Sequence, residues 1–407
     1  MSSITSITRR QAFALGAVAA VSAFAAERPA TKAAPAVPAP KPGRLFATAA
    51  AGLVVVDLAK GAVKAAYPAA VADGAWTRIH QLKGGRLRSY EAGTGALLAD
   101  ETVDGRQIKA VSARMIAVGP PPGPRRRTRI TLVGDNGSRT VELDGNIEPE
   151  AFSSDGRVMY LLDHLPPEAP DRYRVRMYDL DAGTLQPLQT RDKTQVRPGT
   201  EEEMRGRGRQ AVLDPSAGVL YTLYTHQDDH LHTRDLVAGR DQSPGVHAFV
   251  HVLNLDQRWA YCLDLPAPFG LGPPEAHTIA LDATAKRLYA FDASTGTIVV
   301  ASTDDQVIRR SGLLVKQPGG EAYAAAGGRR VYVAVGSRVL VADGETLAPL
   351  AAWALPGPAR GVTWTAGELL VGAGDQVIRL DPDTGAGLGA FPLPGLQAIR
   401  HAERIPG

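Results

Sequence analysis

Along most of this chain, hydrophobic and polar positions alternate in short runs, and helical periodicity is scarce after residue 44. Two phrases recur. The first opens a strand with a basic or aliphatic residue, then an aliphatic one, then Tyr or Phe: Arg44-Leu45-Phe46, Val158-Met159-Tyr160, Val219-Leu220-Tyr221, Arg287-Leu288-Tyr289 and Arg330-Val331-Tyr332. The second carries an apolar strand into an acidic turn, clearest at Val54 to Gly61, Met177 to Gly183 and Ile378 to Gly385, with weaker copies such as Ile130 to Gly137. Successive turns lie about 35 to 50 residues apart, the spacing of propeller blades.

Each unit reads as four strands. From Asn146 to Arg191 these are EPEAFS, a turn at Asp155-Gly156, then RVMYLLDHL, YRVRMYDL and LQPLQT. The acidic turns count eight units, 69 to 104 being the least regular, and leave seven blades open. A lone four-stranded blade cannot cover both of its faces, so blades must stack into a ring. The first unit, beginning at Arg44, lacks an innermost strand, and Gly395 to Glu403 (GLQAIRHAE) has the length and alternation to supply it. The expected fold is a single all-β propeller of four-stranded antiparallel blades over 44–407, closed by pairing of its N- and C-terminal strands.

These phrases resemble the repeats of secreted and periplasmic YVTN or WD-repeat-like propellers, a superfamily that includes the β-chain of quinoprotein amine dehydrogenases and lactonase-type propellers. Tyr332-Val333-Ala334-Val335 and Tyr221-Thr222-Leu223-Tyr224 stand where the namesake motif falls, without its Asn. The resemblance implies fold and location and carries no catalytic residue onto this chain.

The N-terminus reads as an export signal over 1–26. Arg9-Arg10 precedes an apolar run from Ala12 to Ala20, and Ala23-Phe24-Ala25 forms a small-x-small cleavage site. The paired arginines resemble a twin-arginine signal, with a Sec signal as the alternative. Residues 27–43 are rich in Ala and Pro and read as an extended linker. The expected location is therefore extracellular, cell-surface or periplasmic, with no transmembrane helix in the mature chain. The 45 basic and 42 acidic side chains nearly balance, and two of the basic ones lie in the signal, which gives no global case for nucleic acid. Cys262, the sole cysteine, sits in an apolar strand and reads as a buried thiol.

Propeller topology sends the long connections to one face. The turns joining strands a to b and c to d are short here, whereas the b-to-c and d-to-a connections carry insertions at Gly119 to Arg127, Pro166 to Arg172, Arg191 to Arg209 and His226 to Gly245. Those belong to three consecutive blades, and long loops on a rigid scaffold often bind. Arg125, Arg126, Arg127 and Arg129 form a basic knot suited to an anionic partner, which Glu201, Glu202 and Glu203 of a neighbouring insertion could neutralise. His226, Asp228, Asp229, His230 and His232 are close enough in sequence to chelate zinc or copper, although their spacing matches no fixed motif. No hydrolase elbow, zinc-protease helix or phosphate loop is present. His80, His164, His277 and His401 lie on or near strands and could face the channel.

The expectation is an exported, non-enzymatic scaffold that binds a protein, glycan or small ligand through its insertion-rich face, with no cofactor beyond a possible divalent ion. A channel-centred enzyme of lactonase or dehydrogenase-subunit type and a structural cell-surface module are the alternatives. Carboxylates and histidines converging on the axis favour the enzyme; an apolar channel favours binding.

Overall fold

The computed structural model describes residues 42–405 apart from 136, 197–200, 206–209, 227–246, 317–318 and 366. Its strands form eight antiparallel sheets arranged as an eight-bladed propeller, which resolves the blade count. Blade 1 takes its innermost strand, a, from Leu396–Arg404 and its strands b, c and d from Gly43–Ala49, Gly52–Asp57 and Ala62–Tyr67. Blades 2 to 8 follow at 70–102, 107–144, 146–187, 211–264, 277–313, 322–354 and 359–392. Among the described residues the one helical element is a single 3-10 turn, Pro274–Ala276.

The ring closes as the sequence implies. Leu396–Arg404 pairs antiparallel with Gly43–Ala49, Arg44 lying opposite Glu403 and Ala49 opposite Leu396. Arg44 Nε donates to Glu403 Oε1 at 2.6 Å across that pair. Both ends of the propeller therefore share one sheet, and no sheet edge is left open at the seam.

Inside each blade the period-2 alternation sends successive side chains to opposite neighbours. The third residue of the phrase that opens strand b faces the next blade and sets that interface. It is Tyr160, Tyr221, Tyr289 and Tyr332 in blades 4 to 7, all but fully buried. Their hydroxyls cross to the next blade's c-to-d turn: Tyr160 donates to the Leu255 carbonyl at 2.6 Å, Tyr289 to Gly344 at 2.8 Å and Tyr332 to Pro382 at 3.0 Å. Tyr221 bonds to Gln306 and Thr303 of the corresponding turn. The repeated Tyr of the sequence phrase is thus a strut between blades, and the acidic turn is where it lands. Within the turns, a carboxylate such as Asp343 or Asp381 accepts backbone N–H groups two and three residues on.

One unit departs from the expected reading. LQPLQT does not form a single outer strand: Thr184–Pro187 completes blade 4, and Gln189–Thr190 crosses over to pair in parallel with Trp259–Asp264 of blade 5. The upper half of blade 4's strand c (Arg172–Asp179) is left without its usual neighbour and is completed from elsewhere.

Candidate functional site

The first strands of blades 1, 2, 5, 6, 7 and 8 surround an axial channel of about 800 Å³. Its blade 7 wall, Ala322 to Ala326, is alanine at every position but Tyr323, because strands converge at the axis and leave little room for side chains. Aromatic rings cluster where blades 1 and 2 meet. Trp76 stacks on His401 with centroids 5.1 Å apart and planes 9° from parallel, and Phe46 completes a triangle at 5.1 Å from Trp76 and 6.1 Å from His401. Trp364 packs against Gly327, where a Cβ would come within 2.3 Å of its ring. Trp76 has φ of 58°, unusual for a bulky residue; Asp73 holds this turn by accepting from the Thr77 and Arg78 N–H groups and the Thr77 hydroxyl.

The ionisable groups on this wall are mostly engaged. His277 is buried, with Nδ1 2.9 Å from the Pro273 carbonyl and Nε2 accepting from the Gly270 N–H at 3.2 Å. Asp292 Oδ2 sits 3.3 Å from His277 Nε2; burial alone would raise its pKa, but the neighbouring imidazole and hydrogen bonds from Ser294 hold it below the ordinary value. Burial lowers the pKa of His401, which keeps the stacked ring neutral. Burial and the Glu321 carboxylate raise Tyr323. Arg400 donates to the Thr48 hydroxyl at 2.8 Å, and Arg360 lies 3.8 Å from Glu321. Of the four histidines singled out from sequence, two line this channel. His164 stands between blades 3 and 4 beside Glu148, and His80 lies in the interface of blades 2 and 3. Hydrogen bonds from His164 and Lys109 hold Glu148 down to about 2 despite its burial.

The insertions of blades 3 to 5 fall on the expected connections, but their charges do not meet as anticipated. Arg126 forms a bidentate pair with Glu168 at 2.5 and 2.9 Å, tying the blade 3 insertion to that of blade 4. Arg127 pairs with Asp144 and Arg129 with Glu142 and Asp104, while Arg125 donates to the Pro121 carbonyl. Glu201, Glu202 and Glu203 meet none of these arginines. Their segment returns along blade 4, where Met204 and Tyr173 exchange backbone hydrogen bonds at 2.7 and 2.9 Å and stand in for the missing outer strand. Alternation then sends Glu201 to Arg174 and Arg176 and Glu203 to Arg172, while Glu202 accepts from the buried Cys262 thiol at 2.8 Å. These glutamates are internal fasteners and do not form a displayed acidic surface.

His226 bonds to Thr225 through Nδ1 at 2.8 Å. Asp228, Asp229, His230 and His232 lie outside the described residues. Among the described residues, no three His, Cys, Asp or Glu side chains are grouped to hold a metal ion.

The residue that sequence reading passed over is His80 as a member of the strand-opening phrase. Arg78-Ile79-His80 is the blade 2 copy of Arg-aliphatic-aromatic, and aligning strand b across all blades places His80 at the strut position.

No family model and no curated protein matches the chain. Solved structures that are similar to it include apo AztD from Citrobacter koseri, at 10% identity and TM-score 0.55 over 88% of this chain and 97% of that one. The dihydro-heme d1 dehydrogenase NirN in complex with DHE follows at 15% and 0.48, over 93% of this chain and 77% of that one. Sqt1 of Saccharomyces cerevisiae gives 9% and 0.47, over 79% and 84%. At these identities the AztD likeness establishes the propeller fold alone.

Proposed function

We propose that this chain is an exported, non-enzymatic binding propeller of the secreted YVTN-like class and that its ligand occupies the axial channel. The observation that carries the reading is the character of the wall: a cavity of about 800 Å³ where alanines, Trp76, Trp364 and Tyr323 stand among the polar side chains Asp73, Glu275, His277, Glu321, Arg400 and His401. Such a surface suits a ligand with a flat apolar face, since ring stacking adds about 0.5–1.5 kcal/mol per pair beyond area burial. His277, His401 and Asp73 build the wall through fixed contacts and so favour holding over turnover. The paired arginines and glutamates of blades 3 to 5 move the reading from the insertion face to the axis. Placement outside the cytoplasm rests on the Arg9-Arg10 segment and the apolar run behind it.

Titrating the protein with the planar anion 8-anilinonaphthalene-1-sulfonate tests this, because two of the four tryptophans, Trp76 and Trp364, face the channel. Saturable binding with quenching of tryptophan emission is expected, weakened by about tenfold in the W76A/W364A double variant. Saturable binding that the double variant leaves unchanged would count against the channel, and no saturation would end the reading.

A further inference from the structure

Eight strand-b positions face the next blade around the ring, and they are filled unequally. Blades 4 to 7 use Tyr, blade 1 uses Phe46 and blade 8 uses Leu370. Blade 3 carries Ala117, which packs with Phe152 and Met159 of blade 4. Blade 2 carries His80, whose imidazole is shorter than a tyrosine side chain. Beside it, between blades 2 and 3, lies a cavity of about 260 Å³. A single water needs only about 10–15 Å³ on such a measure.

The position of this cavity matches the space that the struts occupy elsewhere. Gly134 and Asp135, which begin the c-to-d turn of blade 3, line it, and that turn is the counterpart of those accepting the Tyr hydroxyls from blades 4, 6 and 7. The apolar side chains Leu87, Ile116 and Val133 wall it, each at most 7% exposed. His80 lines it at 2% exposure, with Nδ1 2.8 Å from the Ser89 hydroxyl. Its Nε2 is buried and has no partner among the described residues. Buried polar atoms are overwhelmingly hydrogen-bonded, so an unpartnered one on a side chain that lines a cavity marks a site for a polar partner.

We propose that the blade 2–blade 3 interface is a binding site for a small one-ring phenol, which takes the place of the tyrosine strut that this blade lacks. The ring packs between the aliphatic walls, and the hydroxyl meets His80 Nε2. A phenol suits either tautomer. If Nδ1 carries the proton and donates to Ser89, Nε2 accepts from the ligand hydroxyl; if Ser89 donates to Nδ1, Nε2–H donates to the ligand oxygen. The site shares no lining residue with the channel and does not depend on what the channel binds.

Calorimetric titration of the full protein with p-cresol, run beside toluene, tests the site. p-Cresol binds one molecule per chain, about tenfold more tightly than toluene, because toluene leaves the imidazole nitrogen unsatisfied. H80Y restores the strut, raises the melting temperature by a few degrees and abolishes p-cresol binding, while W76A/W364A leaves it intact. If H80Y does not fold, I116F, which fills the cavity from its blade 3 wall, serves in its place and likewise abolishes binding. Absence of saturable p-cresol binding to the wild type overturns the proposal. So does equal affinity for toluene, or retention of binding in the folded variant.

Discussion

The seam between blades 8 and 1 and the patched outer edge of blade 4 are each fastened by one buried glutamate that grips two arginines. At the closure, Glu368 of blade 8 holds Arg379 of its own blade and Arg404 at the end of the closing strand, each at 2.5 Å. At the edge of blade 4, Glu201 holds Arg174 and Arg176 at 3.1 and 3.2 Å. The chemistry is the same and the chain logic differs. Glu368 ties blade 8 to the closing strand, which in turn pairs with Gly43–Ala49 at the other end of the propeller, whereas Glu201 arrives on an insertion that patches the short outer strand of a single blade. Arg174 also keeps a second carboxylate, Asp163, at 2.9 Å. One cluster therefore guards the ring as a whole, and the other guards a local repair.

The sharpest test of that contrast removes the closing strand. Truncation before Gly395 exposes the edge of Gly43–Ala49 along its full length and strips Leu396, Ile399 and Ala402 from the core they share with Leu45 and Val56. Loss of the cooperative melt is expected by calorimetry; a truncated chain melting within a few degrees of the parent would show that closure is not what holds the ring. Next in size are the glutamates. E368Q leaves Arg379 and Arg404 without their buried counter-charge and is expected to cost about 3 kcal/mol in denaturant unfolding. E201Q, with Asp163 remaining beside Arg174, is expected to cost about half as much and to act locally, speeding amide exchange in Arg172–Asp179. Equal costs at the two sites would break the comparison.

The closure was readable before any coordinates because it needs only counting: a first unit one strand short and a final strand with nothing to pair with. The repair in blade 4 was not. RDKTQVRPGTEEEMRGRGR reads as a polar loop, and the alternation that sends Glu201 and Glu203 one way and Glu202 and Met204 the other has meaning only beside Tyr173. Local composition also pairs the Arg125 to Arg129 knot with the glutamates, whereas in the fold Arg126 meets the adjoining insertion, Arg127 and Arg129 meet carboxylates of blade 3 and its edge, and the glutamates meet blades 4 and 5. His80 lies between these cases. Its place in the Arg-aliphatic-aromatic phrase is written in the sequence, while the unfilled space beside it depends on what blade 3 supplies in return.

Acid separates the fastenings by a different route, since the group most sensitive to mild acid belongs to blade 2. Burial lowers the pKa of His80 from 6.5 to about 4, against the smaller opposing influence of Asp73. Between those values the unfolded chain binds a proton that the folded chain does not, so stability falls as pH drops from about 6.5 to 4. Glu148 follows at lower pH. Its pKa is held to about 2, below the usual 4.5, by His164 and Lys109, so its contribution is present above 4.5 and is lost as pH falls toward 2. Glu368 shifts in the same direction, with Arg379 and Arg404 overcoming burial. A melting temperature that declines by several degrees from pH 6.5 to 4, and a flatter decline in H80F, are the expected outcomes. An unchanged slope in H80F would assign the acid response to other groups.

The smallest effect is expected where the charges are most visible. Arg126 and Glu168 form the best-aligned pair on the insertion face, two parallel N–H to oxygen bonds, yet their side chains remain 80% and 58% exposed. Water and salt screen such a pair, and the ordering of two long side chains offsets much of the attraction, which leaves 0 to about 1 kcal/mol in typical cases. R126A should therefore shift the unfolding midpoint by no more than about 0.5 kcal/mol at physiological salt, far below E201Q on the neighbouring insertion. A loss as large as that of E201Q would mean that the latch between the blade 3 and blade 4 insertions supports the patched strand behind it. The two insertions would then form one structural unit, and the fastening at this edge would extend to the surface of the insertion face.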